Sequence, residues 1–158
     1  MAWSGGNGIM REILFRGKCK EKGKWYKGYY IHLHKTTYCF KEDYDHFKDN
    51  DIHQIVFEKM TDWGLPNEHL RVDVIPETVG QYTGLTDKNG TKIFEGDIIL
   101  WGLAPCVAKY DTENARFMFY ENGKYLKNGF NKDTMEMKEV IGNIHDNPEL
   151  LESEVDSE

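Results

Sequence analysis

Residues 76–101 read PETVGQYTGLTDKNGTKIFEGDIILW, and this stretch decides the fold of the chain. Glycine recurs in it every four to six residues, with short apolar and aromatic pieces between the glycines. Turn-forming residues that separate short β-branched and aromatic pieces are typical of antiparallel strands, and Asn-Gly is the strongest short-range signal for a hairpin. The stretch therefore predicts strands joined by tight turns, and it gives a structural role to Gly80, Gly84, Gly90 and Gly96.

The flanking sequence continues this alternation of strands and turns. Apolar and polar residues alternate with a period of two, and aromatic and β-branched residues are frequent, as strands require. Further strands are predicted at 25–34, 52–59, 71–75, 107–110, 116–121 and 135–144, a loop at 43–51, and one short helix at 147–151. We therefore predict a mainly β fold with few short helices.

Three separated motifs stand out from this pattern. They are MREILFR at 10–16, the glycine-punctuated segment at 77–98, and VIGNIHDNPELL at 140–151. Together they resemble the YopX family of phage and prophage proteins, over nearly the whole chain. The resemblance implies a mostly β fold with a barrel-like C-terminal half, encoded by phages. It implies no established activity and transfers no catalytic residues.

These observations predict how the chain is organised. The order Glu95-Gly96-Asp97 followed by a β-branched run is also how many SH3-like barrels begin, which is an analogy at the level of the fold. We predict an N-terminal β lobe followed by a C-terminal SH3-like barrel. The four parts are a leader or flexible arm at 1–9, the N-terminal lobe at 10–75, the glycine-punctuated bridge and C-terminal lobe at 76–151, and an acidic tail at 152–158.

Composition narrows the class of protein. No run approaches the roughly 18 apolar residues of a membrane span, and residues 1–9 lack the charged start and apolar core of a signal peptide. Cys19, Cys39 and Cys106 are odd in number and include no C-x-x-C, which favours a reduced compartment and a role as small apolar fillers. We expect a protein of the host-cell cytoplasm that does not contact membranes.

The net charge of −7 is unevenly distributed. Residues 10–41 hold nine basic and two acidic residues, a balance of +7, whereas residues 42–158 hold eleven basic and twenty-five acidic residues, a balance of −14. A basic segment on an acidic body is able to attract nucleic acid, an acidic partner or a second copy of the chain. Interleaving of the two charges in the fold would leave an ordinary mixed surface instead.

The basic segment also contains aromatic residues, and it is the best candidate binding surface in the sequence. Its lysines have the chemistry to contact phosphates and its aromatic rings to stack on bases. The candidate residues are Lys18, Lys20, Lys22, Lys24, Trp25, Tyr26 and Lys27. The competing interpretation is an ordinary hairpin with its aromatic residues in the core and its lysines on a solvated turn.

Sequence motifs for metal binding and catalysis are weak. His32 and His34 share one face of a predicted strand at a spacing suited to one metal, with Cys39 or Asp43 as the third ligand to consider. An H-x-H pair is common without metal, EF-hand spacing fails from Asp43, and no G-x-S-x-G is present. We therefore expect no structural metal, no cofactor and no catalytic residue.

The function that the sequence favours is that of a non-enzymatic phage or prophage accessory protein that binds another protein of the phage or host. The alternative is a nucleic-acid-binding β-barrel that uses residues 16–30, but the acidic remainder of the chain repels phosphates at short range. Self-association into a homo-oligomer is compatible with open strand edges and with the opposite charges of the two parts of the chain.

Overall fold

The computed structural model describes residues 11–47, 51–121, 123–126 and 130–152. The predicted leader at 1–9 lies outside these ranges, as does the predicted acidic tail apart from Glu152. The described residues form eleven strands in two antiparallel sheets, with two short α-helices and two 3₁₀ turns. The mainly β fold with few short helices is therefore confirmed.

The first sheet has six strands in the spatial order β4, β3, β2, β1, β5, β6. The strands are β1 (Phe15–Lys18), β2 (Trp25–Leu33), β3 (Ile52–Lys59), β4 (Glu68–Asp73), β5 (Gly80–Thr86) and β6 (Lys92–Phe94). The short strand β1 therefore lies in the middle of the sheet, with its chain neighbour β2 on one side and the sequence-distant β5 on the other. The Asn89-Gly90 turn joins β5 to β6, as the sequence predicts.

The second sheet has five strands in the order β10, β9, β8, β7, β11. The strands are β7 (Asp97–Trp101), β8 (Ala104–Asp111), β9 (Arg116–Glu121), β10 (Lys124–Tyr125) and β11 (Val140–Asn143). Closure of this sheet into an SH3-like barrel stays a prediction, because the strand pairing of the described residues leaves β10 and β11 at opposite edges.

The chain passes from the first sheet to the second between Phe94 and Asp97, near the end of the glycine-punctuated stretch. Strands β5 and β6 come from the region predicted as the C-terminal part, yet they pair into the first sheet. The domain boundary at 75/76 stays a prediction, but the first sheet extends across it.

The main apolar core lies on the second sheet and includes the neighbouring β6. Six buried residues form it, namely Ile93, Ile99, Cys106, Ala108, Phe119 and Met135. Met135 is the last residue of the short helix α2 (Lys132–Met135), so the prediction of a strand beginning at 135 was wrong. Asn131 caps this helix by accepting the Thr134 N–H at 2.9 Å, and the cap turns Met135 into the core.

Two other local predictions were wrong. The acidic run at 43–51 was predicted to be a loop, but Lys41–Phe47 forms the helix α1. Its acids Glu42 and Asp43 lie in the first turn, where their negative charges stabilise the helix by interacting with the positive end of its dipole. The second wrong prediction concerns Cys39, which is exposed and so does not fill the core. Cys19 and Cys106 are buried as small apolar residues.

Candidate functional site

The candidate basic segment runs through β1, the turn after it and the start of β2, and the structure uses part of it internally. The Lys18 Nζ lies 2.7 Å from Asp146 Oδ1, and the Trp25 Nε1–H donates to Asp146 Oδ2 at 2.6 Å. Asp146 belongs to the closing motif at 140–151. Two of the seven candidate residues therefore hold that motif against the first sheet.

Two more candidates also make internal contacts. The Tyr26 ring packs against Phe57, with 5.2 Å between ring centroids, and the Lys27 ammonium lies 5.3 Å from the centre of the Phe94 ring. The remaining candidates, Lys20, Lys22 and Lys24, are exposed on the β1–β2 turn, and none has an ion-pair partner among the described residues. Only three of the candidate lysines thus remain free to meet an external ligand.

The Asp146 contacts give a pH prediction. Hydrogen bonds from Lys18 and Asn143, together with one from Trp25, lower the pKa of Asp146 from its ordinary 3.8 to about 2. A carboxyl whose pKa is lower in the folded chain stabilises the fold above its ordinary pKa, and it loses that contribution as the pH falls through the folded value. We therefore expect wild-type stability to fall between pH 3.8 and about pH 2 by an increment that Asp146→Asn lacks.

Urea titrations of the two proteins at several pH values measure that increment. Glu149→Gln, a change of an exposed acid in the same motif, serves as the control. Parallel pH profiles for wild type and Asp146→Asn would contradict the prediction.

An exposed apolar cluster at the tip of the β3–β4 hairpin was missed by the sequence analysis. Met60, Trp63 and Leu65, here called the apolar tip, are 79%, 99% and 62% exposed. Hydrogen bonds shape this loop: the Trp63 N–H donates to Asp62 Oδ1 at 2.7 Å and the Leu65 N–H to the Asp62 carbonyl at 3.1 Å. The only sequence signal for it is the presence of large apolar residues in a segment broken by Gly64 and Pro66.

A histidine cluster lies at the other end of β3, where the end of β2 meets the start of β3. His32 and His34 approach each other as the H-x-H spacing predicts, but the third residue beside them is Asp51. Asp43 lies in α1 and Cys39 before it, so neither belongs to the ligand cluster found in the described residues. Hydrogen bonds with His32 and His34 lower the pKa of the Asp51 carboxyl.

A groove of about 1110 Å³ runs between the two sheets. The residues that line it include Arg11, Phe15, Leu85, Phe117 and Phe130. Its volume exceeds the roughly 300–1,000 Å³ of a typical small-molecule pocket, and it is open to solvent. We assign the groove no ligand.

The chain is similar to known proteins in its sequence and in its fold. A family model described as "YopX protein" matches residues 14–152, most of the chain. The chain belongs to the YopX family. A solved structure, the crystal structure of protein EF1440 from Enterococcus faecalis, is similar with a TM-score of 0.51 and 23% identity, over 90% of this chain and 99% of that one. At that identity the likeness shows a shared fold alone. A comparison with curated proteins found no match.

The three motifs that carry the YopX resemblance meet where the two sheets join. Arg16 of the first motif forms a 2.6 Å ion pair with Asp97 of the second, and both residues are buried. Asp97 is paired in register with Asn143 of the third motif, and the Ile144 N–H donates to the Gly96 carbonyl at 2.9 Å. The YopX motifs therefore build the junction of the fold.

The four glycines predicted to be structural in this YopX chain lie where the stretch turns, where its strand pairing is irregular, or where it packs closely. Gly84, Gly90 and Gly96 have positive φ angles of +91°, +78° and +84°. At Gly80 a Cβ atom would lie 2.5 Å from the Glu95 carbonyl oxygen. Their structural role stays a prediction, which the Gly96 variants discussed below test.

Within the described residues, no helix has the length and apolar character required to cross a lipid bilayer.

Proposed function

We propose that this YopX protein is a non-enzymatic accessory protein of phages or prophages that acts in the host cytoplasm by binding another protein through its apolar tip. The observation that carries the proposal is the full exposure of Trp63 between Met60 and Leu65. Exposed apolar clusters on soluble domains are typical of interaction sites, and tryptophan is among the residues enriched at the energetic centre of protein interfaces.

The apolar tip is held in shape before any partner binds. Asp62 accepts two backbone N–H groups of the turn, and the Thr61 hydroxyl donates to the Pro66 carbonyl at 3.0 Å. A loop that already has its bound shape loses less conformational entropy on association. These hydrogen bonds support the role of a docking loop.

Charge around the tip indicates the chemistry of the partner. Glu58, Asp62 and Glu68 surround it, with Lys59 as the basic residue among them. An acidic rim repels the phosphates of nucleic acids and of anionic lipid surfaces. We therefore propose a protein partner that has an apolar pocket with a basic rim.

The test compares Trp63→Ala with Leu103→Ala. Leu103 is 93% exposed on the β7–β8 turn, so both variants delete an exposed apolar side chain, and each should change stability by at most about 0.5 kcal/mol. Each protein is used to capture partners from phage-infected host cells. The partner identified by mass spectrometry is then purified and titrated.

We expect Trp63→Ala to weaken the purified complex by about thirtyfold, the loss of roughly 2 kcal/mol that marks a central interface residue, and Leu103→Ala to leave it unchanged. Equal binding by wild type and Trp63→Ala would place the interface elsewhere. A larger loss of affinity in Leu103→Ala than in Trp63→Ala would place the interface at the β7–β8 turn.

Nucleic-acid binding remains the alternative function, and the number of free lysines limits the affinity of such binding. Among the described residues, the candidate lysines without an ion-pair or ring partner are Lys20, Lys22 and Lys24, so this turn supplies a log–log salt slope of about −3 at most. We expect no specific DNA or RNA binding at physiological salt in a gel-shift assay. A tight complex there, abolished by changing these three lysines to glutamine, would favour the alternative.

Charge-driven self-association is the remaining proposal about partners. Arg16 and Lys18 of the basic segment already pair with Asp97 and Asp146 of the same chain, so part of the charge complementarity is used internally. If opposite charges join two copies, sedimentation at rising salt will shift toward the monomer. A monomer at every salt concentration would exclude it.

A further inference from the structure

The histidine cluster follows from the register of β2 and β3. His32 is paired with His53 and Leu33 with Ile52, and one more pair in the same register places His34 opposite Asp51. Side chains two residues apart share a face of a sheet. His32, His34, Asp51 and His53 therefore project from one face at the end of the hairpin.

The ligand atoms of three of these residues converge. Asp51 Oδ2 lies 3.0 Å from His32 Nε2 and 2.9 Å from His34 Nδ1, and the three atoms lie within 4.8 Å of one another. In a tetrahedral zinc site with bonds near 2.0–2.2 Å, neighbouring ligand atoms are about 3.4 Å apart. The two carboxylate–imidazole distances would have to lengthen by about 0.5 Å to admit the ion, and the two imidazole nitrogens, which lie within 4.8 Å of each other, would have to adopt the same spacing.

Neighbouring aromatic residues orient the two histidine rings. The His53 ring stacks on His32 with 4.4 Å between centroids, and His53 Nδ1 is 2.6 Å from the Tyr30 hydroxyl. The Tyr44 ring of α1 meets the His34 ring edge-on at 5.1 Å. These ring contacts restrict the orientations that the His32 and His34 imidazoles can adopt.

The exposure of the three side chains differs in a way that suits a metal site. The Asp51 side chain is only 10% exposed, whereas those of His32 and His34 are 42% and 50% exposed. The carboxylate is more buried than the two imidazoles, and within the described part of the chain its hydrogen-bond partners are those two imidazoles. An ion would reach this position from solvent between the two rings.

We propose that His32, His34 and Asp51 bind a divalent cation of the zinc class, with water at the remaining positions. Two imidazoles and one carboxylate suit Zn²⁺ and its transition-metal neighbours, whereas Mg²⁺ and Ca²⁺ prefer oxygen ligands alone. The ion would join the end of β2 to the start of β3, residues 17 positions apart in the chain. The proposal departs from our sequence-based expectation of no metal, because the sequence could not place Asp51 beside the histidines.

The site is separate from the proposed protein-binding tip. Strand β3 has eight residues, and the cluster lies at its beginning and the tip beyond its end. At about 3.4 Å per residue, the two are about 25 Å apart. Failure of one proposal therefore leaves the other standing.

The experiment titrates Zn²⁺ and, separately, Mg²⁺ into tag-free, chelator-dialysed full-length protein by calorimetry. The variants are His34→Gln and Asp51→Asn, and the control is His69→Gln, an exposed histidine on β4 that lies 3.5 Å from Glu58. A thermal melt with and without Zn²⁺ gives a second readout for each protein, and circular dichroism checks that each variant is folded.

We expect one Zn²⁺ per chain in wild type and in His69→Gln, with a raised melting temperature, and no Mg²⁺ binding. Each ligand variant should bind Zn²⁺ at least tenfold more weakly and lose the thermal shift. Absence of Zn²⁺ binding by wild type would overturn the proposal. Equal weakening in His69→Gln would also overturn it, since binding would then be spread over surface histidines.

Discussion

Asp97→Ala is expected to lower the free energy of unfolding by about 3–5 kcal/mol, the loss typical when a buried ion pair is broken from one side. The Asp97 carboxylate is 2% exposed, pairs with Arg16 at 2.6 Å, and accepts the Phe94 N–H at 2.7 Å. Alanine would leave both the Arg16 guanidinium and the Phe94 N–H buried without their acceptor.

The pKa of Asp97 clarifies what this pair contributes. Burial raises the pKa above its ordinary value, although the Arg16 charge lowers it. Desolvation of the carboxylate therefore outweighs its attraction to arginine in setting this pKa, and we expect the pair to add little net stability. Arg16→Met combined with Asp97→Ala should consequently destabilise the protein less than the sum of the two single changes.

Urea unfolding of the four proteins of this double-mutant cycle measures the coupling. The exposed pair Lys88–Glu139 supplies the control, since Glu139→Gln should change stability by less than about 1 kcal/mol. If Asp97→Ala costs no more than Glu139→Gln, the buried pair does not hold the junction together.

Gly96→Val is expected to cost about 2–4 kcal/mol, the second large effect. Gly96 has a φ angle of +84°, which a β-branched residue strongly disfavours, and an added Cβ would lie 3.5 Å from Ile144. Its N–H donates to the Ala108 carbonyl at 2.8 Å and its carbonyl accepts the Ile144 N–H. Relaxing the backbone there would strain both contacts.

Gly84→Val measures separately how much of that loss of stability comes from the backbone conformation. Gly84 has a φ angle of +91°, but among the described residues no atom other than those of Gly84 and its chain neighbours lies within 4 Å of a Cβ built there. We expect it to lose less stability than Gly96→Val in the same thermal and urea melts. A Gly96→Val protein as stable as wild type would remove the reason for placing residues 76–101 at the centre of the fold.

Features set by local sequence could be predicted. The Asn89-Gly90 hairpin and the strand at Arg116–Glu121 depend on turn chemistry and on a period-two pattern, and both are present. Helix α1 could not be predicted, because a run of acidic residues is equally typical of a solvated loop and of the first turn of a helix. Its single apolar pair, Tyr44 and Phe47, is too short a pattern to show a helical period.

The candidate sites depend on contacts between distant parts of the chain, which no local pattern encodes. His32 and His34 were recognisable as a pair, but the approach of Asp51 required the β2–β3 register. The roles of Lys18 and Trp25 depended in the same way on Asp146, more than a hundred residues later. The exposure of Trp63 could not be predicted from its place in a segment broken by Gly64 and Pro66, because sequence does not distinguish an exposed tryptophan from a buried one.

The position of β1 between β2 and β5 has a consequence for the order of folding during synthesis. Strands β1 to β4 leave the ribosome first and are able to pair as hairpins, but one edge of β1 then has no neighbour and Arg16 has no carboxylate. Closing that edge requires β5 and Asp97, so the decisive contacts join distant segments and form late. A nascent chain that stops before Gly80 should therefore remain sensitive to proteolysis, and resistance should appear only after the Glu95-Gly96-Asp97 turn has emerged.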